Sequence, residues 1–332
     1  MLTLIRSSFL AFVLAATASA ASEDNISQQI DATSGGKLVV DVDFGTIDVT
    51  PGADDKVGLE AQRKVDFHDQ AREKEYLSVA PIIITKEGNV VTVRARSSKP
   101  KSWWNVGHSE TQGRYTIRVP KKFETDLHTG SGDVALAEII GNATVKTSGG
   151  KLAFRHLEGN LSANTSGGSI NVEDCRGPIK VETSGGDIIV ADGTGTLNAR
   201  TSGGRIEVQN FSGDTEVHTS GGNLNLQRIA GKLVGKTSGG SINASIAADV
   251  AGDVNLQTSA GNIDVSLSTT ASVDIDARTS IGEIFSDLPL EPSDLKSEHL
   301  RGKLNGGGKS VKLQTSVGNI TLKPASSELV SR

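Results

Sequence analysis

The sequence predicts an all-β protein folded as a single-chain parallel β-solenoid, with two strands in each 18-residue rung and an N-terminal mixed β cap containing one short helix. Three observations lead to this fold class. A Thr-Ser-Gly-Gly phrase returns at fixed intervals, apolar residues alternate with polar ones between the phrases, and glycines mark two turns in each repeat. A constant period of about 20 residues is the sequence signature of a solenoid.

The phrase begins at Thr147 and returns every 18 residues, at Thr165, Thr183, Thr201, Thr219 and Thr237. Altered copies begin at Thr258, Thr279 and Thr315. The interval grows to 21 residues and finally to 36. We therefore expect insertions at turns and, in the longest interval, one rung whose signature has been lost.

Each repeat is numbered here from its Thr as position 1. Apolar residues then fall at positions 6, 8, 15 and 17, for example Leu152, Phe154, Leu161 and Ala163. A period of two predicts half-buried strands. Two strands and two turns use up the 18 residues, so we expect equivalent strands to stack in parallel about 4.8 Å apart and to form two facing sheets.

Glycine occupies positions 3 and 4 of the repeat and, at the opposite turn, position 13. We expect the first pair to adopt positive φ and to turn the chain tightly. The predicted structural turn residues are Gly149, Gly150, Gly167, Gly168, Gly185, Gly186, Gly203, Gly204, Gly221, Gly222, Gly239 and Gly240.

The repeated Thr and Ser have two interpretations: a ladder that binds ice or a glycan, or a structural element. Position 1 is in phase with the inward residues of the preceding strand. A buried hydroxyl without a partner costs about 1–3 kcal/mol, so an inward Thr should bond to its own turn or to the Thr of the next rung. This phase favours the structural interpretation.

Residues 1–20 are predicted to be a signal peptide, since Arg6 precedes an apolar run and Ala18-Ser19-Ala20 forms a cleavage site. We therefore expect an exported protein, in the periplasm or at the cell surface, with no membrane span. The net charge of −5 argues against nucleic acid or an anionic membrane as partner.

Residues 21–125 are predicted to form the cap, residues 126–323 the solenoid and residues 324–332 a polar tail. The cap contains a strand, glycine turn and strand at Lys37–Val49, a helix at His68–Leu77 and a hairpin at Ile82–Ala95. A cap is expected because an uncovered first rung would leave an open edge that invites association.

Two segments depart from the repeat. The loop at 97–114 holds Trp103, Trp104 and His108, which we predict as contacts for a partner protein or a glycan. The alternative is a loop that folds back over the apolar face of the cap. The excursion at 286–308 is either a long turn from one rung or a mobile lid, and Lys309–Leu322 restores the pattern as the last rung.

No residue pattern indicates a catalytic, cofactor or metal site, so we expect neither an enzyme nor a cofactor. Cys175 occupies an apolar position of the repeat, which predicts a buried filler. Outward positions 5 and 9 do not stack paired acids, and position 18 is predicted to form a solvated charge ladder. This column holds His128, Lys146, Asn164, Glu182, Arg200, His218 and Lys236.

The strand Tyr115–Pro120, the phrase Gly130–Val134 and the Thr-Ser-Gly-Gly array together resemble the "putative adhesin" family of bacterial β-strand-repeat proteins, over residues 37–323. The resemblance implies an exported, non-enzymatic scaffold that presents its surface to an envelope protein or a glycan. One alternative is a carbohydrate-active enzyme, which would need Glu291 or Asp294 to face a rung acid in a groove. Another is a module that regulates an envelope-stress signalling partner.

Overall fold

The computed structural model describes residues 22–67, 69–98, 110–246 and 251–325. The predicted signal peptide, Trp103, Trp104, His108 and nearly all of the predicted tail lie outside these ranges, so their roles stay predictions. Within the described ranges, no helix has the length and apolar character needed to cross a membrane.

The described part of the chain is mainly β-structure. Its first part contains β1 (Ser22–Asp31), β2 (Gly36–Val42), β3 (Thr46–Pro51), β4 (Lys56–Asp66), α1 (Gln70–Val79), β5 (Ile83–Glu87), β6 (Val90–Ala95), β7 (Glu110–Val119), β8 (Phe123–Thr129) and β9 (Val134–Ala137). Short strands follow in the regular repeats: β10 (Ala143–Lys146), β11 (Leu152–Arg155), β12 (Leu161–Asn164), β13 (Ile170–Glu173), β14 (Arg176–Glu182), β15 (Ile188–Ala191), β16 (Thr194–Arg200), β17 (Ile206–Ser212), β18 (Thr215–His218), β19 (Leu224–Ala230), β20 (Leu233–Lys236) and β21 (Ile242–Ile246). The last part contains β22 (Val254–Ala260), β23 (Ile263–Leu267), β24 (Val273–Ile281), β25 (Ile284–Ser286), β26 (Glu291–Lys296), β27 (His299–Leu304), β28 (Lys309–Val317) and β29 (Ile320–Pro324).

Successive rungs each give one strand to each of two parallel stacks. The first stack runs β6-β2-β8-β10-β12-β14-β16-β18-β20-β22-β28-β24. The second runs β7-β3-β9-β11-β13-β15-β17-β19-β21-β23-β29-β25. The predicted β-solenoid is therefore confirmed, and its twelve described rungs span about 53 Å at 4.8 Å per rung.

The core lies between the two stacks, at the alternating positions that the sequence predicts. Ile188 and Val190 at positions 6 and 8 are fully buried, and Leu197 and Ala199 at positions 15 and 17 are 2% and 0% exposed. Because a strand turns successive side chains to opposite faces, the polar residues between them point to solvent.

The Thr at position 1 is structural and bonds to its own turn, as predicted, and it also bonds to a backbone carbonyl of the preceding rung. Thr165 Oγ1 donates to the carbonyl oxygen of Gly150 in the preceding rung at 3.0 Å and accepts from its own turn, from Gly168 N, at 3.4 Å. The hydroxyl therefore joins a turn to the rung before it, and no Thr-to-Thr bond is needed.

The prediction of positive φ at positions 3 and 4 is wrong. Neither glycine of these pairs lies in the left-handed region. Position 4 needs glycine for space, because a Cβ on Gly168 would lie 1.9 Å from the carbonyl oxygen of Gly150. At position 3, a Cβ on Gly167 would meet nothing closer than 3.9 Å. Positive φ occurs instead at position 13, as in Gly159 (136°), and at non-glycine residues of position 10.

The order of rungs in space differs from the order in sequence at both ends. The rung β2–β3 lies between β6–β7 and β8–β9. The rung β28–β29 lies between β22–β23 and β24–β25. Residues 309–322 therefore form the last rung of the sequence but not the last rung of the stack.

Antiparallel strands pair with three of the outer strands, β6, β7 and β24. At the N-terminal end, β5 pairs with β6 in the predicted hairpin, and β4 followed by β1 covers β7. Helix α1, capped by Asp69, packs Tyr76 on Phe44 and Phe67. The boundary of the cap at residue 125 stays a prediction.

At the C-terminal end, the excursion forms an antiparallel hairpin, β26–β27, that adds to the edge of β24. It is neither a simple turn nor a lid. The prediction of a degenerate rung in the 36-residue interval is therefore wrong, because the hairpin β26–β27 occupies that interval.

Candidate functional site

A shallow groove of about 770 Å³ follows one corner of the solenoid across seven rungs. Positions 18, 1 and 2 of successive repeats line it. The position-18 residues in the groove are Asn164, Glu182, Arg200, His218, Lys236, Gln257 and Gln314, and the serines are Ser166, Ser184, Ser202, Ser220, Ser238, Ser259 and Ser316.

Strand alternation explains the shape of this groove. Position 18 is the last outward residue of a first-stack strand, and the buried Thr at position 1 forms the floor. Position 2 then faces outward, so its serines are exposed, as Ser202 and Ser220 are. The sequence analysis treated Thr and Ser together, but the inward phase of the Thr already implied an outward Ser.

The position-18 side chains form a continuous row that extends past the groove. β24 places Arg278 beside Gln314, β27 places His299 beside Arg278, and β26 places Lys296 beside His299. We use the name basic row for this spatial series of side chains: Arg200, His218, Lys236, Gln257, Gln314, Arg278, His299 and Lys296. It contains no carboxylate and crosses eight strands, or about 34 Å at 4.8 Å per strand.

Ion pairs link charged side chains of neighbouring rungs in the middle of the groove. Arg200 Nη2 and His218 Nε2 both contact Glu216 Oε1 at 2.9 Å. The slight burial of Glu216 would raise its pKa, but the hydrogen bond and charge of His218, and then those of Arg200, lower this pKa below its usual range. Lys180 lies 3.3 Å from Glu182 Oε1. Arg200 Nη1 also lies 3.9 Å from Glu182 Oε1 on the preceding rung, so the predicted position-18 charge ladder is present between these two rungs.

A second cluster joins the hairpin to the last rung of the stack. Arg278 donates two 2.9 Å hydrogen bonds to the Asp276 carboxylate, which also accepts from Arg301 Nε at 3.3 Å. His299 Nε2 lies 3.3 Å from Asp276 and its Nδ1 lies 3.0 Å from Asp294. The hydrogen bond from Arg278 is the main cause of the lowered pKa of Asp276.

This cluster bears on the enzyme alternative, which required Asp294 or Glu291 to face a rung acid. Asp294 does approach the rung residue Asp276 through His299. The lowered pKa keeps Asp276 ionised at neutral pH, whereas the general acid of a glycosidase must be protonated. Among the residues that the structure describes, no group of three His, Cys, Asp or Glu side chains has a metal-binding arrangement.

Cys175 is a core residue, as predicted. It is 1% exposed, and its Sγ lies 3.4 Å from the carbonyl oxygen of Glu173. Burial raises the pKa of the thiol, so the reactive thiolate form is disfavoured.

The family model described as Toastrack DUF4097 matches residues 36–227 and 211–323. The chain belongs to the DUF4097 family. This assignment agrees with the resemblance and with the fold drawn from the repeats. No curated protein matches the sequence.

Several solved structures are similar to this DUF4097 chain over most of its length. A "putative adhesin" from Parabacteroides distasonis is 12% identical, with 91% of this chain and 97% of that chain covered and a TM-score of 0.37. A "putative lipid binding protein" from the same organism is 13% identical, with coverages of 90% and 96% and a TM-score of 0.33. A "putative adhesin" from Bacteroides fragilis is 13% identical, with coverages of 92% and 98% and a TM-score of 0.31. At these TM-scores the likenesses carry no argument about function.

Proposed function

We propose that this protein is an exported, adhesin-like, non-enzymatic scaffold that binds an extended glycan along the groove. The supporting observation is that the same outward positions, a Ser hydroxyl and a polar position-18 side chain, recur on seven successive rungs. A polymer with a repeating unit can meet similar partners at each step, and many weak contacts then add to a useful affinity.

The groove favours a polymer over a small molecule because it is long and shallow. Small-molecule sites are usually enclosed and mostly apolar, whereas this groove is lined by hydroxyl, amide and charged groups.

A glycan is favoured over an extended peptide strand. A peptide that binds by β-augmentation needs an exposed sheet edge. The groove crosses the strands of the first stack and does not follow a sheet edge.

Larger side chains placed in the groove test whether it binds the glycan. Ser202→Leu with Ser220→Leu removes two hydroxyl groups and places two apolar side chains over the groove at exposed positions, and Ser212→Leu, at an exposed serine of β17, is the matched control. We expect glycans that the intact protein binds on an array to be lost in the double variant and kept in the control. Retention of all binding by the double variant would contradict the proposal.

The predicted contacts Trp103, Trp104 and His108 are tested beside the groove. A Trp103→Ala, Trp104→Ala variant goes through the same glycan array and through a pull-down from envelope extract. Loss of binding in this variant alone would place the contact in the loop instead of the groove. Capture of an envelope protein that ignores the groove variant would favour a protein partner.

We also propose that the chain is exported after removal of residues 1–20. The support is the charged start, apolar run and small-residue cleavage site. N-terminal sequencing of the protein from fractionated cells should give a chain that begins at Ala21 in the periplasmic or extracellular fraction. A cytoplasmic protein that retains Met1 would contradict this proposal.

A further inference from the structure

The basic row carries a charge opposite to that of the whole protein. The chain carries a formal net charge of −5. Nevertheless, the row from Arg200 to Lys296 contains four cationic side chains and two histidines but no acid. The row is not apparent in the sequence. Its members lie between residues 200 and 314, and their order in space differs from their order along the chain.

Three lysines near the row have positive charges available for a ligand. Lys236 at position 18, Lys312 at position 16 and Lys296 on the hairpin belong to no ion pair within the described residues. The arginines differ, since Arg200 contacts Glu216 and Arg278 contacts Asp276. An anion would therefore be attracted mainly by the lysines, while the arginines keep further N–H donors free.

The distances between these lysines favour a long, linear ligand. Lys236 and Lys312 lie two rungs apart, and β26, which carries Lys296, lies three strands beyond β28. These steps correspond to about 10 Å and about 14 Å at 4.8 Å per strand. A single small anion cannot reach all three ammonium groups, but a polymer along the groove can.

We infer that the ligand of the groove is an acidic glycan, a linear sugar polymer that bears carboxylate or phosphate groups, and that the hairpin β26–β27 is part of its binding surface. This inference rests on the proposed function. It makes the hairpin, which interrupts the repeat pattern, an extension of the groove beyond the last rung of the stack.

Single-stranded nucleic acid is also a linear polyanion, but the groove does not suit it. Proteins that bind single strands without sequence preference stack the bases on aromatic side chains. The residues lining the groove include no Phe, Tyr or Trp side chain.

The probes are polygalacturonate, a uronic acid polymer, and neutral dextran, with binding measured at low and high salt. The intact protein should bind polygalacturonate in preference to dextran, and salt should weaken this binding because exposed charges are screened within about 10 Å at 0.1 M ionic strength. Lys236→Gln with Lys296→Gln should weaken the binding roughly tenfold, since charged surfaces of one sign raise ligand capture by at least this factor.

The matched control is Lys151→Gln with Lys323→Gln, which removes the same charge from exposed positions on the side of the second stack. This control should bind polygalacturonate as the intact protein does. An equal loss in both double variants would show a net-charge effect and overturn the inference. Thermal unfolding of each variant verifies that the fold is kept.

The remaining outcomes separate this inference from the proposed function. Equal, salt-independent binding of dextran and polygalacturonate would overturn the acidic ligand and leave a neutral glycan in the groove. If no glycan binds at all, both proposals fail. Tighter binding of a single-stranded oligonucleotide would replace the ligand class, and an effect of Lys236→Gln without one of Lys296→Gln would remove the hairpin from the site.

Discussion

Two adjacent glycines of the repeat have opposite roles, and alanine substitution should separate them. A Cβ on Gly204 would lie 1.9 Å from the carbonyl oxygen of Gly186, whereas a Cβ on Gly203 would meet nothing closer than 3.7 Å. Gly204→Ala should lower the free energy of unfolding by about 3 kcal/mol because the rungs cannot separate locally. Gly203→Ala should change it by no more than about 0.5 kcal/mol, as measured by urea unfolding. Equal effects would contradict the assignment.

At single residues, the sequence predicts burial but not the reason for each glycine. Alternation places Ile188 inside because burial depends only on phase within a strand, and the apolar column at the position of Cys175 marks this residue as a filler. Alternation cannot distinguish glycine chosen for φ from glycine chosen for space. The second requirement arises from the neighbouring rung, 18 residues away, as for Gly168 and Gly150.

An aspartate at position 6 tests the phase of the strand directly. Ile188 is 0% exposed between the two stacks, and the next residue, Ile189, points outward. Ile188→Asp should abolish cooperative folding, because an isolated buried carboxylate costs far more than the stability of an ordinary domain can absorb. Ile189→Asp is the control and should keep the thermal transition. A folded Ile188→Asp protein would show that position 6 is not in the core.

The hairpin β26–β27 is held to the stack by a charged cluster, and its stability should depend on acid. Asp276 has a lowered pKa in the folded state, mainly because of the hydrogen bonds from Arg278. Its contribution is therefore present above the ordinary aspartate pKa of about 3.9 and is lost as the pH falls through the lowered value. Hydrogen exchange at neutral pH should show β26 and β27 less protected in Asp276→Asn than in the intact protein.

The urea midpoint as a function of pH provides the second measurement for this cluster. Between about pH 5 and pH 2, Asp276→Asn should lose less stability than the intact protein, because one carboxylate with a lowered pKa has been removed. Asp264→Asn, on the outward side of β23 and outside this cluster, is the control. Identical pH profiles for the intact protein and Asp276→Asn would show that the cluster does not stabilise the hairpin.

Elements that copy the repeat were predictable, but their spatial neighbours were not. The regular rungs follow from the 18-residue period because consecutive copies stack. Insertion of β28–β29 between two earlier rungs leaves no trace in the sequence, since any rung can pair with any other through the same backbone hydrogen bonds. The extension of the basic row onto Arg278, His299 and Lys296 could not be predicted for the same reason.

At the scale of the whole molecule, both ends of the first stack are covered by antiparallel strands. At the C-terminal end this closure replaces the edge of β24 by that of β26, whose proline and three charged residues disfavour pairing with a second copy. Here β27 pairs with β24 from Val273 to Arg278. Two residues of β27, Leu300 and Leu304, are buried in the core. Without the hairpin, β24 would present unpaired N–H and C=O groups to a second copy.

Replacing residues 289–306 by a short Gly-Ser linker tests the role of this closure. The variant should form larger species as its concentration rises, because its exposed edge can pair with that of another copy. Light scattering with size-exclusion chromatography measures the mass, and Glu298→Ser, an exposed change at the hairpin turn that leaves β26 and β27 intact, is the control. A linker variant that keeps its circular dichroism spectrum and the mass of the control at every concentration would show that the hairpin serves the binding surface alone and is not needed to prevent association.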